Sequence, residues 1–196
     1  MHQIDPLGAL EQALGTSEAR ERDSQSRITD LGRRLNLALA QRVQELSRYR
    51  SEFFGRLREI LADRADIRVV GDRFVFGSEV FFGSSQAEIE PGGRAELDKL
   101  AEALKQLDKD IPTDIPWVLR VDGHTDARPV QSGRFRSNWD LSAARAIAVV
   151  QYLMSKGVPP QRLVAAGFGE FQPIDQGDTP EALARNRRIE LRLTDR

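Results

Sequence analysis

From Thr16 to Arg64 the chain carries no proline, and Ile28, Leu31, Leu35, Leu39, Leu46, Tyr49, Phe53, Leu57 and Ile60 recur at mostly three- and four-residue steps. That period puts them on one stripe of an α-helix, with Gly32 and Gly55 as its weak points. Thr16 and Ser17 offer caps, and Glu18 and Glu21 fall in the first turns, where the helix dipole favours acids. Residues 1–15, with Pro6, Gly8 and Gly15 and no capped start, read as a poorly ordered tail. A helix over 16–64 would run about 70 Å at ~1.5 Å per residue, longer than a small domain is wide. It must project or pair, so its imperfect heptad predicts a spacer or a modest coiled coil, with a homodimer as one outcome.

After Arg64 the period falls to two. Ile67 to Val70 and Arg73 to Phe76 flank Gly71-Asp72, the pattern of a β-hairpin. Val80-Phe81-Phe82 follows, then Gly83-Ser84-Ser85 as loop. Ile89-Glu90-Pro91-Gly92 marks a helix start, and Leu97, Leu100, Leu104 and Leu107 form its apolar stripe. Trp117 to Val121 reads as a strand. Ser137 to Lys156 reads as a helix with Leu141, Ala144, Ala148 and Leu153 inward, stopped by Gly157 and Pro159-Pro160. Val164 to Ala166 is a short strand, Pro180 to Arg185 a helical turn, and Arg188 to Leu193 an alternating strand. The order over residues 65–196 predicts an α/β (α+β) sandwich with helices on one face of a mixed sheet.

Lys plus Arg number 29 against 30 Asp plus Glu, so a net charge of -1 provides no field for nucleic acid or an anionic membrane. The absence of cysteine excludes disulfides and thiolate chemistry and leaves the compartment open. No stretch has a signal peptide's features or approaches the ~20 apolar residues that span a bilayer. If the protein works outside the cytoplasm, its targeting or anchoring segment is expected beyond this sequence.

The sharpest chemistry lies between Val118 and Ala146. Asp126 closes Gly123-His124-Thr125-Asp126 at a strand end, and Arg145 follows 19 residues later, on the helix that opens Ser137-Asn138-Trp139-Asp140-Leu141-Ser142. A strand end, a loop and one to two helical turns would bring the two together. A carboxylate and a guanidinium facing one loop suit a zwitterionic ligand, whose ammonium and carboxylate each meet an opposite charge. Each residue also has a plainer reading. A loop aspartate satisfies turn amides, a helical arginine faces water, Ser137 or Asn138 caps the helix, and Leu141 and Trp139 serve as core and lid. Arg187 or Arg188 could pair with Asp122 or Asp126 across neighbouring strands. His124 stands without a second histidine, so no metal site is expected, and Gly167-Phe168-Gly169-Glu170 lacks the helix and Lys-Ser/Thr of a phosphate loop. No activated nucleophile, paired acid and base, or cofactor motif is found, so the expectation is a binding site and not an enzyme.

Gly123-His124-Thr125-Asp126, then Asn138-x-x-Leu141-Ser142-x-x-Arg145-Ala146, then Gly167-Phe168-Gly169, then Asn186-Arg187-Arg188-Ile189-Glu190 resembles the OmpA-like peptidoglycan-binding domain over roughly residues 67–194. The long loop 127–136 and the Ser137-Asn138-Trp139 opening look closest to the family's MotB-like cell-envelope members. The resemblance implies an α/β sandwich that binds the peptide stem of peptidoglycan without catalysis. By motif position, Asp126 would bind the diaminopimelate ammonium and Arg145 its carboxylate. Asn138 and Leu141 would shape the wall, and Thr125 and Arg188 would support it. It further implies a periplasmic protein tethered to the inner membrane by a segment absent here. An alternative role is a stator component of an ion-driven motor, with an inner-membrane channel subunit as partner.

Overall fold

The computed structural model describes residues 6–60, 67–113, 115–130 and 134–195. Its first element is α1, Pro6–Ile60. The helix begins at Pro6 and not at Thr16, so residues 6–15 are not the tail expected from their glycines and proline. Pro6 fits a first helical turn because no partner is required there for its missing N–H. Leu7, Leu10 and Leu14 continue the three- and four-residue stripe beside Ala9, Glu11 and Ala13, and each of the two glycines costs only about 1 kcal/mol. Thr16 caps nothing: its hydroxyl donates to the Ala13 carbonyl at 2.8 Å. The expected last turn, 61–64, lies outside the described residues.

The chain divides between Glu45 and Leu46 into two units. In the first, Ile28, Leu31, Leu35 and Leu39 are exposed, and the polar sides carry i,i+4 pairs such as Arg22–Glu18, Arg27–Asp23 and Arg34–Asp30. The second unit starts within α1 and not at residue 65, because Phe53 and Phe54 are core residues. Phe54 stacks on Phe74 with ring centres 4.9 Å apart.

The rest of the second unit is β1 (Ile67–Val70), β2 (Arg73–Gly77), α2 (Pro91–Asp110), β3 (Trp117–His124), α3 (Asn138–Ser155), β4 (Leu163–Gly167), α4 (Pro180–Asn186) and β5 (Arg188–Asp195), the order predicted from the sequence. The five strands form one sheet in the order β1-β2-β5-β3-β4. All neighbours are antiparallel except β3 and β4. Alternation sorts the faces: Phe74, Phe76, Leu119, Val121, Ile189, Leu191 and Leu193 join Leu97, Leu100, Leu104 and Leu107 of α2 and Ala146, Val149 and Leu153 of α3 in one apolar core. The opposite face is ionic, with Arg73–Glu190 at 2.8 Å, Arg188–Glu190 at 2.6 Å and Arg120–Asp122 at 2.6 Å.

Two glycines bring α3 unusually close to the sheet. A Cβ on Gly123 would lie 2.2 Å from the Ser142 carbonyl oxygen, and one on Gly167 would lie 2.6 Å from the Ala143 nitrogen. The first turns of α3 therefore rest on the backbones of β3 and β4 with no side-chain layer between them. Between β2 and α2, a short 3-10 turn, Ser78–Val80, leads into a segment closed by a bridge between Phe82 and Ile89.

Candidate functional site

Strand β3 delivers Thr125 and Asp126 just past its last paired residue, where the Thr125 amide is held by the Gly169 carbonyl at 2.9 Å. Ser137 takes the N-cap of α3, its hydroxyl accepting from the Asp140 amide at 3.1 Å. That frees Asn138 to donate from Nδ2 to the carbonyls of Asp126, at 3.3 Å, and Arg128, at 3.0 Å, fixing the loop against the helix. Leu141 and Arg145 project from the next turns. Together these elements line a cleft of about 420 Å³ containing Thr125, Asp126, Asn138, Leu141 and Arg145, within the size range of small-ligand sites.

Arg145 is 4% exposed. Its guanidinium donates from Nε to the Gln86 carbonyl at 2.8 Å, from Nη1 to the Ser78 hydroxyl at 2.8 Å and from Nη2 to the Gly83 carbonyl at 3.2 Å. It also lies 5.3 Å from the centre of the Phe82 ring. All three acceptors are neutral, and no carboxylate of the described residues is within ion-pair distance. Burial pulls its pKa down to about 10, so it stays cationic at neutral pH. A guanidinium has five N–H groups, and two remain beyond the three bonds described.

Asp126 is 5% exposed and heavily engaged. Its Oδ1 accepts the Arg128 amide at 3.0 Å, and its Oδ2 accepts Arg128 Nε at 3.1 Å, Arg128 Nη2 at 2.7 Å and Arg187 Nη1 at 2.7 Å. Burial alone would raise the carboxyl pKa, but these bonds outweigh it and hold the group below its ordinary value. Arg187 is shared, its Nε donating to Glu79 at 2.7 Å. The Thr125 hydroxyl is buried at the cleft with no hydrogen-bond partner among the described residues.

Arg188 departs from expectation. It heads β5 opposite His124, on the ionic face of the sheet, and does not line the cleft. Its guanidinium is buried against Glu190 at 2.6 Å and the Gln172 carbonyl at 3.0 Å. The supporting position belongs to Arg187, which precedes the strand as the C-cap of α4 and so escapes its alternation. His124 lies on the ionic face too, stacked on Phe168 at 5.0 Å, and burial lowers its pKa to about 4. Its 3.8 Å approach to Glu190 is therefore not an ion pair at neutral pH. Trp139 is neither core nor lid; it is exposed and stacks on Phe171. In the 127–136 loop, whose residues 131–133 lie outside those described, Arg128 lines the cleft while Arg134 pairs with Glu88.

Sequence reasoning missed the 78–86 segment, which supplies Ser78, Glu79, Phe82 and Gly83 to the cleft and three acceptors to Arg145. Only Glu79 carried a charge that could have signalled it. The assembled site places a buried cation free of carboxylate partners and a carboxylate around one cleft. That arrangement has the charges to meet a ligand bearing both an acid and an amine. Asp126 is occupied by two arginines, and His124 faces away from the cleft.

The family model described as the OmpA family matches residues 81–187. The uncharacterized protein YtxE of Bacillus subtilis is 36% identical over 118 residues, which are 60% of this chain and 46% of that protein. The chain spans about half the length of the curated relatives it matches. The crystal structure of a putative MotB-like protein from Desulfovibrio vulgaris superposes with a TM-score of 0.68 and 27% identity, covering 78% of this chain and 95% of that one. The cell wall anchor of the T6SS from Pseudomonas aeruginosa superposes with a TM-score of 0.58 and 28% identity, covering 74% and 95%.

Proposed function

This chain belongs to the OmpA family, whose model spans more than half of it, and we propose from that premise that its second unit grips the peptide stem of peptidoglycan without catalysis. The observation that carries the reading is Arg145, a buried guanidinium at the cleft whose hydrogen bonds all go to neutral oxygens. A buried cation with no carboxylate in contact is costly, and Glu79 and Asp126 act on this one only from beyond ion-pair distance. A ligand carboxylate on Arg145 would supply that contact, and a ligand ammonium would meet Asp126. The side-chain end of diaminopimelate carries both groups on one carbon, which suits a cleft of this size. Asn138 and Leu141 form the wall, and the unpartnered Thr125 hydroxyl has a donor to offer the same carboxylate. The likeness to a cell wall anchor supports this reading. In it, the protein works in the periplasm, α1 sets the distance from the wall, and the inner-membrane tether is supplied from beyond these residues.

The test is a pull-down on purified diaminopimelate-type sacculi with the wild type, Asp126→Ala and Arg145→Lys, each first confirmed to be folded. Retention of the wild type and loss of both variants is expected; equal retention of all three would reject the cleft.

The likeness to a MotB-like protein favours a second, narrower reading: the same grip holds an ion-driven stator against torque. Co-purification of the native protein with a membrane channel subunit supports it, and isolation of the native protein alone counts against it.

A further inference from the structure

The geometry points to Arg128 as a competitor of the ligand ammonium for Asp126, and so as the residue that sets how strongly the cleft distinguishes a free amine from a blocked one. The inference rests on the zwitterion-binding reading above. The Arg128 guanidinium forks onto Oδ2 of Asp126 through Nε at 3.1 Å and Nη2 at 2.7 Å, the position that an arriving ammonium needs. Its side chain is 64% exposed whereas that of Asp126 is 6% exposed, so the arginine covers the carboxylate from the solvent side. Among the described residues its guanidinium hydrogen-bonds to no other acceptor. Arg187 differs: it is held between Asp126 and Glu79 and its side chain is 25% exposed. Of the two cations on Asp126, Arg128 is therefore the one that can leave.

Binding then becomes an exchange of one cation for another. A ligand with a free amine must displace the guanidinium, which offsets part of what its own ion pair contributes. A ligand whose amine is acetylated leaves Arg128 in place and strands no carboxylate. The wild-type cleft thus penalises loss of the amine less than an uncovered aspartate would. Substituting Arg128 by alanine removes the competitor and keeps the backbone N–H that holds Oδ1 at 3.0 Å. An exposed ion pair of this kind is worth roughly two- to fivefold in an equilibrium.

The experiment is a calorimetric titration of wild type and Arg128→Ala with two ligands. One is the tripeptide L-Ala-γ-D-Glu-meso-diaminopimelate, and the other is the same peptide acetylated on the side-chain amine. Arg128→Ala is expected to bind the free-amine peptide about two- to fivefold more tightly and the acetylated peptide no more tightly than the wild type does, which widens discrimination by at least the same factor. Equal tightening of both peptides would make Arg128 a mere obstruction. Unchanged or weaker binding of the free-amine peptide would make it a bystander or a ligand contact. Either result overturns the inference while leaving the cleft assignment standing. A wild type that binds neither peptide would bring down both.

Discussion

Arg145 holds the 78–86 segment through three hydrogen bonds and lines the cleft, where we propose that its remaining N–H groups meet the ligand. Lysine keeps the charge but has no planar fork, so it cannot meet Gln86, Ser78 and Gly83 together. We expect Arg145→Lys to weaken binding of the stem peptide about 5- to 150-fold, through a loss of roughly 1–3 kcal/mol as hydrogen-bond partners go unmet. A titration together with a urea midpoint would separate loss of binding from loss of fold. His124 sets a second residue-scale expectation. Burial lowers its pKa from 6.5 to about 4, so between those values the unfolded chain binds a proton that the folded one does not. Stability should therefore fall as pH drops through that window, by an amount on the order of 3 kcal/mol. Urea unfolding at pH 7 and pH 4.5 would show it, and His124→Gln should flatten the dependence. Asp126 and Arg145 were legible in the sequence because opposite charges spaced over a strand end and a helix carry a signal. The acceptors that hold Arg145 were not, since backbone carbonyls and a serine leave none. Arg187 and Arg188 could not be told apart until the start of β5 was known, because one residue of register decides which of them faces the cleft.

At the scale of elements, hydrophobic period revealed every helix and strand of the sandwich, and boundaries were the weaker part. The start of α1 was obscured by Pro6, Gly8 and Gly15, whose local cost is small beside the helix they join. The hold of the last turns of α1 on the sheet rests on Phe53 and Phe54. Phe54→Ala should cost about 3–5 kcal/mol, as for other buried aromatic truncations, measured as a lowered denaturant midpoint with an unchanged far-UV spectrum before unfolding. The exposed stripe of Ile28, Leu31, Leu35 and Leu39 carries the separate proposal of a helical pair. Sedimentation should find a dimer that Leu31→Asn with Leu35→Asn converts to monomer, with sacculus binding per chain unaltered. A wild type that sediments as a monomer would discard the pairing and leave the cleft untouched.

For the whole molecule, the site joins segments far apart in sequence: the end of β3, the start of α3, the 78–86 segment and Arg187 at the end of α4. Their mutual placement depends on α3 resting directly on Gly123 and Gly167. A methyl group at Gly123 would have to push the helix away, so Gly123→Ala should both destabilise the fold and weaken binding, a coupling that tandem melting and titration would reveal.

The position of Asp126 at the end of β3 also bears on mechanics. If Asp126 grips the stem as proposed, a pull along that strand enters a rod clamped on both sides, by eight paired residues of β5 and five of β4. Those ladders would have to slide together before the strand could be extracted, a geometry that resists tension far better than peeling bonds one at a time. In a single-molecule stretching experiment between sacculus and protein, the ligand should detach while the sheet remains intact, so that the same molecule can grip again.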